Sequence, residues 1–216
     1  MTMEDTYTEY DYDILNEIFN IGVGKAADLL SQIVDKRIIL RIPRVLMLHS
    51  PDEISKVPEL AGLVQGTLMV SSISFSEQLS GTANLVFPAG KMRDFIALCA
   101  EEEPAAGGGD GTFTDVDFDI VREIGNIFLN CILGSTGDFL KVPMNYSLPV
   151  VKVYDENINF SKNVMTKDCP VLLFLSVTFV IDSVKIEGAV LVSLALASCE
   201  KLLELLRRIE GDAHES

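Results

Sequence analysis

Two stretches of the chain carry the same acid, acid and amide at the same spacing. The first is Asp13-Ile14-Leu15-Asn16-Glu17-Ile18-Phe19-Asn20-Ile21 and the second is Asp119-Ile120-Val121-Arg122-Glu123-Ile124-Gly125-Asn126-Ile127, with six of nine positions identical. On a helix, at about 100° per residue, Asp13, Glu17 and Asn20 fall within roughly 60° of one another, as do Asp119, Glu123 and Asn126. Ile14, Ile18 and Ile21 form a neighbouring row that Leu15, Phe19, Leu29 and Leu30 widen into an apolar face. The Asp-Glu-Asn row lies opposite the centre of that face and is expected to meet solvent.

Three kinds of chemistry are open to such a row. Two carboxylates can form a general acid/base pair, as in glycoside hydrolysis. Enzymes of that kind hold the pair in a cleft with aromatic platforms, and this chain has no Trp and only 7% aromatic residues. Carboxylates can also bind Mg2+ or Ca2+, but these acids lie on a regular helix and no EF-hand loop spacing occurs. The third possibility is insertion of the row into another protein's active site. There an amide orients a water by donating and accepting hydrogen bonds, and a carboxylate pairs with a lysine of the partner.

The spacing extends further. Pro43 follows Asn20 by 23 positions and Pro149 follows Asn126 by 23, so the pattern Asp-x3-Glu-x2-Asn-x22-Pro occurs twice. A duplicated gene repeats its scaffold, which accounts for the isoleucines, since both copies must fill a core. It accounts less well for the polar row. Solvated positions carry little packing constraint, and Asn is a mediocre helix former. The flanking residues did diverge, Asn16 to Arg122 and Phe19 to Gly125.

The elements that must position these rows also repeat. The first long helix is predicted from Asp11 to about Val34, with Gly22 and Gly24 inside it marking a close neighbour or a flat surface. A strand follows over Ile38 to Val45; Pro43 cannot donate to a sheet ladder, which makes this an edge strand or places the proline at a strand end. Residues 49–63 read as a connecting loop. Gly66 to Phe75 and Gly81 to Phe87 read as a hairpin turning around Ser76-Glu77-Gln78, and Pro88 opens a short helix. Residues 101–111, acidic and then glycine-rich, form a linker. Thr112 or Thr114 caps a second long helix that runs to about Leu133 and ends near Gly134. Then come a strand from Tyr146 to Tyr154 interrupted by Pro149, strands Val171 to Ile181 and Lys185 to Ser193 around Asp182-Ser183, and a helix from Ala195 to Ile209.

The expected fold is therefore α+β. Two pseudo-symmetric helix-strand-strand-strand-helix halves, 11–100 and 112–209, share one sheet of about six strands, with the two long amphipathic helices on one face. Three strands per half make a thin independent sheet, so residues 1–216 are expected to form a single domain. Gly81 and Gly188 are corresponding positions at the third strand of each half.

Composition narrows the function. The net charge is −15 and the sequence pI about 4.4, whereas a nucleic-acid footprint is basic; an anionic membrane surface is disfavoured for the same reason. The basic clusters are Lys36-Arg37 with Arg41 and Arg44, and Arg207-Arg208, read as a solvated strand face and a helix C-terminus. An apolar fraction of 48% suffices for a core. No apolar run approaches the roughly 20 residues that span a bilayer, and the acidic N-terminus lacks the order of a signal peptide, so a cytoplasmic location is expected. Cys99, Cys131 and Cys199 read as small core residues, and Cys169 has no close partner in sequence. With only His49 and His214, no metal site and no Ser-His-Asp or Cys-His arrangement assembles from local spacing.

The doubled pattern on long helices of an acidic chain resembles the CheC/CheX/FliY family of chemotaxis response-regulator phosphatases, most like a two-site CheC. Glu17-Ile18-Phe19-Asn20-Ile21-Gly22-Val23-Gly24-Lys25-Ala26-Ala27 is similar to the family's first motif and Glu123-Ile124-Gly125-Asn126-Ile127 to its second. The resemblance implies hydrolysis of the aspartyl-phosphate of a CheY-type response regulator. It implies that Asn20 and Asn126 position the attacking water and that Glu17 and Glu123 pair with the regulator's lysine. Asp13 and Asp119 are then helpers, and Pro43 and Pro149 shape the strand beside each helix. The protein needs no cofactor of its own, and Mg2+ is expected on the partner. The alternative is a non-catalytic adaptor for a response regulator, a CheD-type deamidase or the flagellar switch. Following the exposed row onward gives Gly24 and Ala27 in copy one but Asn130 and Leu133 in copy two. Copy one is thus the flatter surface and is expected to contribute at least as much.

Overall fold

A computed structural model describes residues 7–41, 45–54, 56–63, 65–100, 113–155, 161–181 and 184–214. The two long helices are α1, Glu9–Val34, and α5, Asp115–Leu140, each of 26 residues. Their ends match as closely as their middles. Thr8 caps α1 and Thr114 caps α5, each in a reciprocal box with the Asp three residues on, Asp11 and Asp117. Asp35 and Lys141, both left-handed, end them. The second helix thus continues past Gly134. A helical glycine costs about 1 kcal/mol relative to alanine, and burial of Ser135, Thr136, Gly137 and Leu140 beyond it outweighs that cost.

Between and after these helices lie β1 (Ile38–Arg41), β2 (Val45–Leu48), α2 (Pro51–Ile54), α3 (Pro58–Leu63), β3 (Leu68–Glu77), β4 (Gly81–Pro88) and α4 (Ala89–Ala100). After α5 come β5 (Met144–Tyr146), β6 (Val150–Tyr154), α6 (Ser161–Val164), β7 (Val171–Ile181), β8 (Val184–Leu194) and α7 (Leu196–His214). The stretch 49–63 is thus not a plain loop. Pro51 and Pro58 open short helices, where a missing N–H costs nothing, and Ile54, Leu60 and Leu63 bury the inner side. Pro88 closes β4, opposite Leu68, and α4 begins one residue later. The helix after β8 runs beyond Ile209, to His214.

All strand pairs are antiparallel, in the order β1-β7-β8-β4-β3-β5, with β2 also on β7 and β6 also on β3. Eight strands therefore fill six lanes, each outer lane being shared by two strands. The break between β5 and β6 holds Pro149; Pro43 lies between β1 and β2 but outside the described residues, as do the linker 101–111 and the turn at Asp182-Ser183. Each outer lane is supplied by the opposite half: β1 and β2 pair with β7, and β5 and β6 with β3. The centre is β4 against β8, where Gly81 and Gly188 permit close approach. A Cβ on Gly81 would lie 2.1 Å from the Ser193 carbonyl oxygen, and one on Gly188 2.5 Å from the Phe87 ring.

One face of the sheet is covered by α1, α4, α5 and α7 over a core that includes Ile18, Phe19, Phe95, Phe128, Phe179 and Leu205. Phe179 of β7 lies at its middle, 5.1 Å from Phe87, 5.6 Å from Phe95 and 5.3 Å from Phe128 between ring centroids. The other face is partly covered by α2, α3 and α6 over Leu60, Val70, Phe174 and Leu191. Both long helices thus lie on one face of one sheet.

Candidate functional site

The apolar row of α1 is buried at Ile14, Leu15, Ile18, Phe19 and Leu30, which turns Asp13, Glu17 and Asn20 outward. Ile21 and Leu29 depart from the expected face. They are 38% and 44% exposed, because the buried stripe is narrower than the sequence suggests and both lie on its edge. In α5, Asp119 and Glu123 are exposed and Asn126 is half-buried. Leu133, expected in the exposed row of copy two, is buried. The row there stops at Asn130, itself half-buried.

Two glycines permit close contacts of the long helices. A Cβ on Gly22 would lie 2.8 Å from the Ile132 Cα, so α1 meets α5 backbone to backbone at that point. A Cβ on Gly125 would lie 2.1 Å from the Ser71 Oγ, so α5 presses directly on β3. By contrast, Gly24 has nothing within 4 Å of a Cβ and is exposed. Gly22 thus marks a close neighbour and Gly24 an open surface.

The hydrogen bonds around the two motifs differ. No hydrogen bond or ion pair from a described residue engages Glu17, Asn20 or Glu123. Asn126 is engaged: its Oδ1 accepts from Asn130 Nδ2 at 2.8 Å. Asp119 pairs with Arg122 one turn on, while Asn16, the counterpart of Arg122, accepts from the Val45 backbone N–H at 3.0 Å and fastens β2 to α1. A surface groove beside copy one is lined by Asn20, Val23, Gly24, Leu40, Arg41, Thr178, Val180 and Lys185. It holds two cations in a strongly acidic chain, though Lys185 also pairs with Glu187. The position that corresponds to Arg41 in copy two is the uncharged Ser147.

Cys131 and Cys199 offer no competing nucleophile. Burial pushes the Cys199 thiol up to about 11 and the half-buried Cys131 thiol upward against the pull of Lys25, so neither favours the thiolate at neutral pH. The side chains of Cys99 and His214 lie outside the described residues. Among the described residues no three His, Cys, Asp or Glu side chains gather as a metal-ligand group, and no helix is long and apolar enough to cross a membrane.

No protein-family model matches the sequence. Solved structures do match it. Thermotoga maritima FliY superposes with a TM-score of 0.73 at 21% identity, covering 94% of this chain and 98% of that one. FliM in the FliG-FliM complex from H. pylori gives 0.63 at 12%, covering 92% and 100%. This is the fold of FliY, FliM and CheX. Chemotaxis protein CheX from Desulfovibrio desulfuricans superposes with a TM-score of 0.52 at 13% identity, covering 82% of this chain and 99% of that one. The α+β architecture expected from the doubled motif is thus shared with FliY and CheX, at identities that speak for fold alone.

Asn130, the Asn16 bond to Val45 and the basic groove were not singled out as functional by the sequence. Asn130 carried a signal all the same. It stands four residues after Asn126, the spacing at which two side chains on one helix meet.

Proposed function

We propose that this protein hydrolyses the aspartyl-phosphate of a CheY-type response regulator in chemotaxis signalling. The observation that carries the reading is the Glu/Asn pair present twice on the long helices, with Glu17, Asn20 and Glu123 exposed and Asn126 half-buried, in a fold shared with FliY and CheX. Glu17 and Glu123 are free carboxylates on helix surfaces, suited to pairing with a lysine of the partner. Asn20 and Asn126 each lie one turn further along and supply an amide to hold the attacking water in line with phosphorus. Asp13 and Asp119 stand one turn before the glutamates as helpers. Phosphoryl transfer depends mainly on positioning and charge stabilisation, so two such side chains suffice when the partner contributes its own Mg2+ and lysine. The test is phosphate release from a phosphorylated CheY-type regulator. The protein should accelerate it, and Asn20→Ala with Asn126→Ala together should remove the acceleration. Unaltered release with wild-type protein present would end this reading.

The likeness to FliM, a protein solved in complex with FliG, favours a second reading. The chain would then act as a non-catalytic adaptor that binds a response regulator, a CheD-type deamidase or the flagellar switch through the same helix faces. That reading expects binding to survive both Asn→Ala changes, with no turnover at any stage.

A further inference from the structure

Asn130 belongs to neither copy of the nine-residue motif, and its counterpart in copy one is Gly24. Its Nδ2 donates to the Asn126 Oδ1 at 2.8 Å, while its own Oδ1 is sealed from solvent without a partner. An unpaired buried polar atom is a cost that any apolar residue here would avoid. The orientation of the pair follows from the same consideration. Turning both amides over would seal an NH2 group with unpaired protons, where the present arrangement seals one acceptor.

We infer that Asn130 is a positioning residue for copy two, holding the Asn126 amide so that its nitrogen faces outward as a fixed donor. Copy one has no such device. Gly24 offers no side chain and nothing described holds Asn20, whose amide is free to rotate. The two motifs therefore reach one chemistry by different routes. Copy two presents a preset donor, with the second lone pair of the Asn126 oxygen still available to a water. Copy one orders its amide only when the partner arrives. This inference rests on the phosphatase reading for its catalytic consequence, and on the helix geometry alone for the clamp.

The test separates the two. Nitrogen relaxation of the side-chain amides, measured on the whole protein, should show Asn126 more ordered than Asn20. Asn130→Ala should loosen Asn126 to the level of Asn20, and so should Asn130→Leu, which restores apolar packing without a donor. In an Asn20→Ala background, where only copy two acts, both changes should lower kcat about 3- to 10-fold with KM unchanged, since misplacement of a reacting group lowers the rate. An Asn126 amide equally ordered with and without Asn130 overturns the clamp. A raised KM at constant kcat overturns the positioning role in favour of docking. If Asn126 loosens as expected but no form of the protein releases phosphate, the clamp stands, while the phosphatase reading and the catalytic role of Asn130 both fall.

Discussion

The first long helix carries its large residue before its small one, Phe19 then Gly22, and the second carries them in the opposite order, Gly125 then Phe128. The exchange has a mechanical consequence. Gly22 lets α1 meet the neighbouring helix, and Gly125 lets α5 settle on the sheet at Ser71. Phe128 fills the space around Phe179, and Phe19 is buried on α1. The helix that meets the sheet at Ser71 carries the half-buried amide, and the other carries the exposed one. The two helices share their caps and the polar row, while their core packing differs and changes the surroundings of the polar row with it.

The largest effect should come from removing what the copies share. With both Asn20→Ala and Asn126→Ala, the acceleration of phosphate release should fall on the order of 100-fold or more, the scale seen when a positioned hydrogen-bonding group is lost at a reacting centre. The single changes should be unequal. Asn20→Ala is expected to lower kcat/KM more, because its surface is open beside Gly24 and the groove with Arg41. An Asn20→Ala protein with undiminished activity would reverse that ranking.

The glycines sharpen the comparison through stability. Gly125→Ala places a methyl group 2.1 Å from the Ser71 Oγ, and forcing an extra carbon into such a contact costs about 1–3 kcal/mol. Gly24→Ala meets nothing within 4 Å and should stabilise by about 1 kcal/mol through helix propensity. Urea unfolding of the two variants should move in opposite directions. Adding Ser71→Gly to Gly125→Ala should recover much of the loss, and a failure to recover would place the strain elsewhere.

Much of this asymmetry was invisible in the sequence, for identifiable reasons. The polar row, the two halves and the six-lane sheet were legible because they depend on helical period and strand alternation, which are local. Pro149 marked a broken edge strand for the same reason. The exchange of edge strands between halves was not legible, since nothing in β1 or β5 states which distant strand it will pair with. The end of α5 was misplaced at Gly134 because tertiary burial of Leu140 outweighs a local helix-breaking preference. In copy two, Leu133 was expected on the exposed row, and α5 in fact turns it into the core. The capping boxes at Thr8-x2-Asp11 and Thr114-x2-Asp117 stood in plain view and fix both helix starts. Thr8→Ala and Thr114→Ala should each cost about 1 kcal/mol. Thr8 should cost the more, because its partner Asp11 is 1% exposed and would lose a bond that water cannot replace.

The smallest difference lies at Asn16 and Arg122, the one position of the repeated motif where each copy bonds to something of its own. Asn16 accepts from the Val45 N–H and joins α1 to the first residue of β2. Its loss leaves a partly buried N–H unpaired and should cost about 1 kcal/mol. Arg122 pairs with Asp119 across one helical turn, with both side chains about half exposed or more. Exposed pairs of this kind contribute only about 0.2–0.5 kcal/mol. Arg122→Ala should therefore barely shift unfolding, and salt should erase what shift there is. If Asp119 helps orient the partner, however, freeing it from Arg122 should make copy two resemble copy one, whose Asp13 has no such neighbour. In the Asn20→Ala background, Arg122→Ala should then lower KM modestly without loss of stability. An unchanged KM would reduce Asp119 to a solvated surface acid, and the difference between the copies would rest on the amides alone.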